Sequence, residues 1–213
     1  PGSWLEDRPL GIAASGGIYQ PSNHDGTFQG WVRAGDALAS SLNIPAVRVV
    51  DFIGVTDAHT LLERLGFSRL RPPEDYGPSM ALGSVDVSLY DLVTGYVALA
   101  NRGRLRAISP FPGKSPDGRR VFSERSAAWT ARTLADRGER GRSFGLDNPL
   151  SQSFWAAAKT GTSKDMRDNW CIGFDDRYVV GVWVGNLAGF AMRDVTGVTG
   201  AAPAGAEIFR RMN

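Results

Sequence analysis

The sequence predicts an α+β domain whose helices come first and whose antiparallel strands come later. Between residues 33 and 150 apolar residues recur at helical spacing behind caps and stops; from Ser151 onward the period shortens to two and short turns separate the apolar runs. Size agrees with this: 213 residues, 42% hydrophobic and 22% charged, is a globular composition with enough chain for one real core.

Residues 5 to 35 are rich in Gly, Pro and Asn and read as irregular, with Tyr19 to Gly26 the clearest loop and His24 a residue of it. A helix is expected from Gly35 or Asp36, with Asp36 as its cap and Pro45 ending or restarting it. Val47 to Ile53 is apolar enough to be a buried helix. Thr56 or Asp57 caps the next, whose Leu61, Leu62 and Leu65 face inward until Gly66 stops it, leaving His59 on the polar surface. Ser88 opens the strongest helix, Leu89 to Asn101, with Gly103 just past its end. A Pro- and Gly-rich loop runs from Ser109 to Gly118, and Ser123 caps a helix to about Asp136. The charged, Gly-bearing stretch from Arg137 to Asn148 reads as a mobile connection. Three strands are then expected: Phe154 to Lys159 running on toward Thr162, Asn169 to Phe174, and Tyr178 to Asn186, joined by short turns into an antiparallel meander. Ala204 to Met212 is a short helix that can lie across that sheet.

Composition excludes several classes. The net charge is +2, the only lysines are Lys114, Lys159 and Lys164, and the arginines form no stripe, so no nucleic-acid partner is expected. No phosphate-loop, dinucleotide or zinc spacing is present, and neither metal nor cofactor is expected. A single cysteine, Cys171, excludes an intrachain disulfide. No apolar run reaches spanning length, so a membrane anchor is expected only outside this chain. Pro1 to Trp4 reads as a cut end, which suggests part of a larger protein.

Chemistry gathers at Lys159-Thr160-Gly161-Thr162. On an edge strand Lys159 offers a point charge, Thr160 and Thr162 share a face, and Gly161 lets a ligand backbone come close. That set suits a peptide carboxylate, with an extended substrate adding to the strand edge. Taken alone, an ordinary strand end with a solvated lysine explains it better, and the functional reading needs a partner motif. Its counterpart in the helical half is Ser41-Leu42-Asn43, the only Ser-x-Asn in the chain, which puts two polar side chains on one turn where helix capping explains either of them. Ser-x-Asn followed by Lys-Thr-Gly is the order used by serine acyl-enzymes that act on peptidoglycan and β-lactams.

The segments Ala37 to Val47, Ala81-Leu82-Gly83-Ser84, Lys159 to Thr162 and Val182-Trp183-Val184-Gly185-Asn186 together resemble the transpeptidase domain of class A penicillin-binding proteins. Tyr19-Gln20-Pro21-Ser22-Asn23 and Phe28-Gln29-Gly30 are similar to the one-C type in particular, and the resemblance runs from about residue 17 to the C-terminus. It implies that residues 1–213 are part of one transpeptidase domain of the serine β-lactamase-like fold, mainly helical over about 33–150, with antiparallel strands and a C-terminal helix over 151–213.

One departure matters. The family's nucleophile lies in a Ser-x-x-Lys motif, and three positions before the lysines stand Phe111, Ala156 and Gly161. The resemblance therefore implies that the acylated serine, its lysine and two strands of a five-stranded sheet lie upstream of this chain, which alone is expected to be inactive. It also implies roles: Ser41 relaying a proton to the departing amine, Asn43 holding the substrate amide, Lys159 favouring the alkoxide and seating the carboxylate, Thr160 and Thr162 hydrogen-bonding it, and the Thr162 N–H forming half of an oxyanion hole. Asp168 and Trp170 are expected to be a turn anchor and a core ring. Implied partners are peptidoglycan stem peptides, β-lactams and the missing N-terminal portion with a glycosyltransferase domain, at the periplasmic face of the bacterial inner membrane. A hydrolytic relative (a D,D-carboxypeptidase or β-lactamase) and a non-catalytic peptidoglycan-binding scaffold remain alternatives.

Overall fold

A computed structural model describes residues 2–14, 17–109, 111, 118–145 and 148–213. Its first segment is more ordered than its composition suggests. Strand β1 (Trp4–Asp7) pairs antiparallel with β4 (Gly30–Arg33), and β2 (Ile12–Ala14) with β3 (Gly17–Tyr19). The first ribbon is organised by a buried carboxylate, Asp7, which accepts from the Asn23 amide and from the Gln29 N–H. A polar hub leaves no apolar period to read.

Helix α1 (Ala34–Ala39) starts after Arg33 rather than at Asp36, which instead lies in the first turn, where a carboxylate favours the positive end of the helix dipole. Pro45 restarts a helix rather than ending one. It falls in the first turn of α2 (Asn43–Ile53), where its missing N–H has no intrahelical partner to lose. Only part of α2 is buried: Ile44, Pro45 and Val47 face inward, and Phe52 is 90% exposed. Helix α3 (Val55–Arg64) is entered through Gly54 rather than a Thr56 or Asp57 cap. Its His59 is buried, not on the surface, because the chain folds back to put the Arg71 carbonyl 2.9 Å from Nε2 and the Tyr76 ring alongside.

Helix α4 (Leu89–Ala100) carries a full capping box, with Ser88 Oγ accepting from the Asp91 N–H and the Asp91 carboxylate accepting in return. Short strands β5 (Arg104–Leu105) and β6 (Arg119–Arg120) pair across the Ser109–Gly118 loop, most of which lies outside the described residues. Ser123 caps α5 (Glu124–Ala135). The stretch expected to be a mobile connection contains a helix, α6 (Arg137–Phe144), because Asp136 Oδ1 accepts from the Gly138 and Glu139 N–H groups. The helix docks at a cost: Arg140 is 2% exposed, and among the described residues its Nε and Nη1 have no hydrogen-bond partner.

The late strands form one antiparallel sheet in the order β7 (Ala157–Thr162), β8 (Asp168–Phe174), β9 (Val179–Gly185). Strand β7 begins three residues later than Phe154. Among the described residues the outer edges of β7 and β9 pair with no strand. One face, with Ala158 and Cys171, packs on Ala201 and Ala202. The other, with Ala157 and Phe174, packs on Ala131 and Leu134 of α5 and on Tyr96 and Leu99 of α4. Helix α7 (Ala202–Met212) covers the first face and follows a single π-helical turn, Gly197–Ala201.

That turn presses Gly197 onto the β7–β8 pair. A Cβ at 197 would lie 2.5 Å from the Gly161 carbonyl oxygen and 2.8 Å from that of Trp170, whereas a Cβ at Gly161 would meet Trp170 at an ordinary 3.7 Å. Gly197→Ala is therefore expected to cost roughly 1–3 kcal/mol by overpacking, while Gly161→Ala leaves stability within about 0.5 kcal/mol. Urea unfolding of the two variants checks the contrast.

Candidate active site

The site begins at the break between α1 and α2. The Leu42 N–H donates to the Ala37 carbonyl at 2.9 Å and the Ser41 N–H to the Leu38 carbonyl at 3.2 Å, the paired bonds of a helix end whose terminal residue is left-handed. Glycine normally fills that place. Here it is Ser41, at φ 59°. A side chain kept in the left-handed region costs about 1–2 kcal/mol, and such strain persists where the surroundings hold it.

What holds it is Lys159. Its Nζ donates to Ser41 Oγ at 2.6 Å and to the Thr160 carbonyl at 2.8 Å. No ion pair involves Lys159 among the described residues. Burial pushes its pKa down from 10.5 to about 8, outweighing the opposing effect of Cys171, itself raised by burial to about 11. Lys159 opens on a cleft of about 340 Å³ between β7–β8 and the segment leading into α4, lined among others by Val85, Asp86, Leu92, Tyr96, Asp168 and Trp170. Burial raises the pKa of the Tyr96 phenol.

The predicted residues are brought together unequally. Ser41 and Lys159 touch. The Asn43 side chain donates to the Ser22 carbonyl at 2.8 Å, and its own N–H is capped by Asn23 Oδ1 at 2.9 Å. The pleat puts Lys159 and Gly161 on the α4 face and Thr160 and Thr162 on the α7 face. Thr160 is buried, and Thr162 is exposed with its Oγ1 accepting from the Gly197 N–H at 2.9 Å. The chain segment pressed against Gly161 is Gly197 of this chain. Asp168 anchors the 163–168 turn through Ser163 Oγ and accepts from Trp183 Nε1 at 2.9 Å. Trp170 lies on the cleft wall, 6.2 Å from the Trp183 ring, rather than inside a core. Sequence reasoning missed Asp7, Asn23 and Gly197. The available signal was Pro21-Ser22-Asn23, noted as family-like without a role.

No family profile matches the sequence. The chain is 33% identical over 206 residues to Penicillin-binding protein 1C of Escherichia coli (strain K12), covering 95% of itself and 26% of that protein. Over 194 residues it is 32% identical to Penicillin-binding protein 1B of Vibrio cholerae, covering 85% of itself and 24% of that relative. The chain is homologous to class A penicillin-binding proteins. It spans about a quarter of the length of these relatives. The penicillin-binding-protein fold is equally plain in solved structures: Penicillin-Binding Protein 1A from Haemophilus influenzae superposes with a TM-score of 0.85 at 21% identity, over 99% of this chain and 39% of that one. The transpeptidase domain of penicillin-binding protein 3 from Burkholderia pseudomallei superposes at 0.78 and 18% identity, over 100% and 73%. The fold is that of penicillin-binding-protein transpeptidase domains.

Two outcomes test the geometry. Ser41→Gly is expected to be about 1 kcal/mol more stable than Ser41→Ala, since both lose the hydroxyl and only Ala keeps the left-handed strain; denaturant midpoints compare them. For Lys159, the unfolded chain binds the proton up to about pH 10.5 and the folded chain only up to about pH 8, so between these values unfolding takes up a proton. Stability therefore rises with pH through that window, by at most about 3 kcal/mol. Lys159→Met should remove this rise when unfolding free energies are compared at pH 7 and pH 10.

Proposed function

We propose that residues 1–213 form the distal part of a peptidoglycan D,D-transpeptidase domain that works through a serine acyl-enzyme, with the acylated serine supplied by residues outside this chain. The carrying observation is the 2.6 Å contact between a depressed-pKa Lys159 and a left-handed Ser41 at the head of a cleft. Homology to class A penicillin-binding proteins supports the reading.

At neutral pH Lys159 is mostly protonated and spends two of its three N–H donors on Ser41 Oγ and the Thr160 carbonyl. The third is available to a substrate carboxylate or a developing alkoxide. When the donor peptide's terminal amide bond breaks, Ser41 passes its hydroxyl proton to the departing D-alanine amine and takes one from Lys159, whose low pKa keeps that transfer close to balance. A stem peptide extended along the outer edge of β7 hydrogen-bonds to the strand backbone, with its carboxylate on Lys159 and its acyl oxyanion facing the Thr162 N–H; the Thr160 and Thr162 side chains, on the opposite face, brace the strand from the α7 side. Asn43 reaches the substrate amide only by turning away from the Ser22 carbonyl to which its side chain donates here. No helix among the described residues is long and apolar enough to cross a membrane. We place the anchor and a glycosyltransferase domain in the remainder of the parent protein, at the periplasmic face of the inner membrane.

Fluorescent penicillin tests this. The parent polypeptide should form a covalent adduct, the 213 residues alone should not, and Lys159→Ala in the parent should slow labelling about 100-fold or more. No adduct on a folded parent would instead favour the scaffold reading.

A further inference from the structure

Helix α2 has no cap of its own. Its N-cap residue is Leu42, which offers no side-chain acceptor. The acceptor comes from twenty residues earlier: Asn23 Oδ1 takes the N–H of Asn43 at 2.9 Å and of Ile44 at 3.3 Å. Asn23 is 4% exposed and its amide is used at both ends, because Nδ2 donates to both Asp7 carboxylate oxygens at 2.8 and 3.0 Å and to the Thr27 carbonyl at 2.8 Å. Only one orientation of the amide satisfies these partners, since the flipped one would face two donors with a donor and a carboxylate with an acceptor. Asp7, at 0% exposure, is fixed in turn by the Gln29 N–H at 2.8 Å. A carboxylate, a polarised amide and a helix N-terminus therefore line up, each strengthening the next. The same residues fasten β1, the 20–29 loop and the start of α2 to one another.

We propose that Asp7 and Asn23 are positioning residues for the Ser41–Asn43 turn, acting through the α2 N-terminus to hold Ser41 against Lys159. This rests on the transpeptidase reading for its functional meaning. Ser41 is two residues before the capped N–H and sits in a conformation it would leave if released. The helix-end bonds from Ala37 and Leu38 hold it from one side, and Asn23 holds it from the other. Loosening Asn23 lets the turn relax, opens the 2.6 Å contact and admits water to Lys159. Besides Ser41, the titratable groups around that ammonium are Cys171 from β8, Asp168 at the head of β8, Tyr96 from α4 and Asp86 in the cleft wall. None belongs to the Asp7–Asn23 pair.

The test reads Lys159 itself. In the full chain, the rate at which limiting N-hydroxysuccinimide acetate modifies Lys159 is followed against pH by peptide mass spectrometry. The unaltered chain should show an inflection near 8. Asn23→Ala and Asp7→Asn should each move it upward by about one pH unit or more, under conditions where circular dichroism shows the fold retained. The exchanged pair, Asp7→Asn with Asn23→Asp, restores an acceptor to the α2 N–H groups and should bring the inflection back. Folded single variants that still titrate near 8 would overturn the proposal and leave the network a purely structural one. Should Asn23→Ala not fold, the exchanged pair decides: an inflection near 8 supports the relay, and a raised one overturns it. Penicillin labelling of the parent is measured separately. A Lys159 response without labelling keeps the positioning role and removes the acyl-transfer reading.

Discussion

Much of this domain depends on one contact between a desolvated ammonium and a serine held in the wrong half of conformational space. Lys159 loses hydration and gains two acceptors, Ser41 Oγ and the Thr160 carbonyl, with no carboxylate to compensate it among the described residues. Ser41 takes a conformation that glycine adopts freely. Each half is unfavourable by itself. The pair persists because β7 is fixed by its register with β8, and the α1–α2 break is fixed by helix-end bonds and by Asn23. Strain of this kind is held by the surrounding structure, and its usual location is a site where geometry matters more than stability.

The two layers serve this contact differently. The sheet supplies a rigid edge: buried Ala156 to Ala158, and a π-helical turn that brings Gly197 against the Gly161–Trp170 rung. Any substrate on β7 thus meets a backbone that is already braced from behind. The helical layer supplies polar placement, and its parts are stitched by hydrogen bonds more than by apolar packing around Asp7, Asn23 and the α2 N-terminus. Where packing is poor the same layer shows it. Arg140 is buried with two nitrogens unmatched among the described residues, and Phe52 stands almost wholly in solvent. Among the described residues the outer edge of β9, beside half-buried Val182 and Val184, pairs with no strand, and such an edge is surface that a further strand can cover.

The strong local signals were legible. Ser88 and Ser123 behaved as caps because a hydroxyl at that position satisfies an N–H two or three residues on, whatever else the chain does. The sheet after Ser151 was marked by short apolar runs separated by turn residues, and its two faces pack on α7 and on α4 and α5. Class A homology was readable from four separated segments. What failed were inferences that needed a distant partner. Asp36 is not a cap, His59 is not on the surface, Arg137 to Asn148 is not simply a connection, and residues 5 to 35 are only partly irregular, with short strands on either side of the 20–29 loop. In the last three the deciding group comes from elsewhere in the chain or from a cap that composition masked: the Arg71 carbonyl for His59, Asp136 for α6, and Asn23 with Asp7 for the first ribbon.

By itself the sequence determined which residues can do chemistry here: the single Ser-x-Asn, the single Lys-Thr-Gly, and the lack of any Ser-x-x-Lys among its three lysines. Only the tertiary structure decided how they meet. Residues 118 apart, Ser41 and Lys159, are 2.6 Å apart in space, while Thr160, next to Lys159 in the chain, points to the opposite face. Asn43, two residues from Ser41, is turned toward Ser22. The physical reason is that a side chain's type is a property of the residue, whereas the lysine's pKa, the serine's left-handed φ and the capping of a helix by a remote amide come from burial and from partners brought in by the fold.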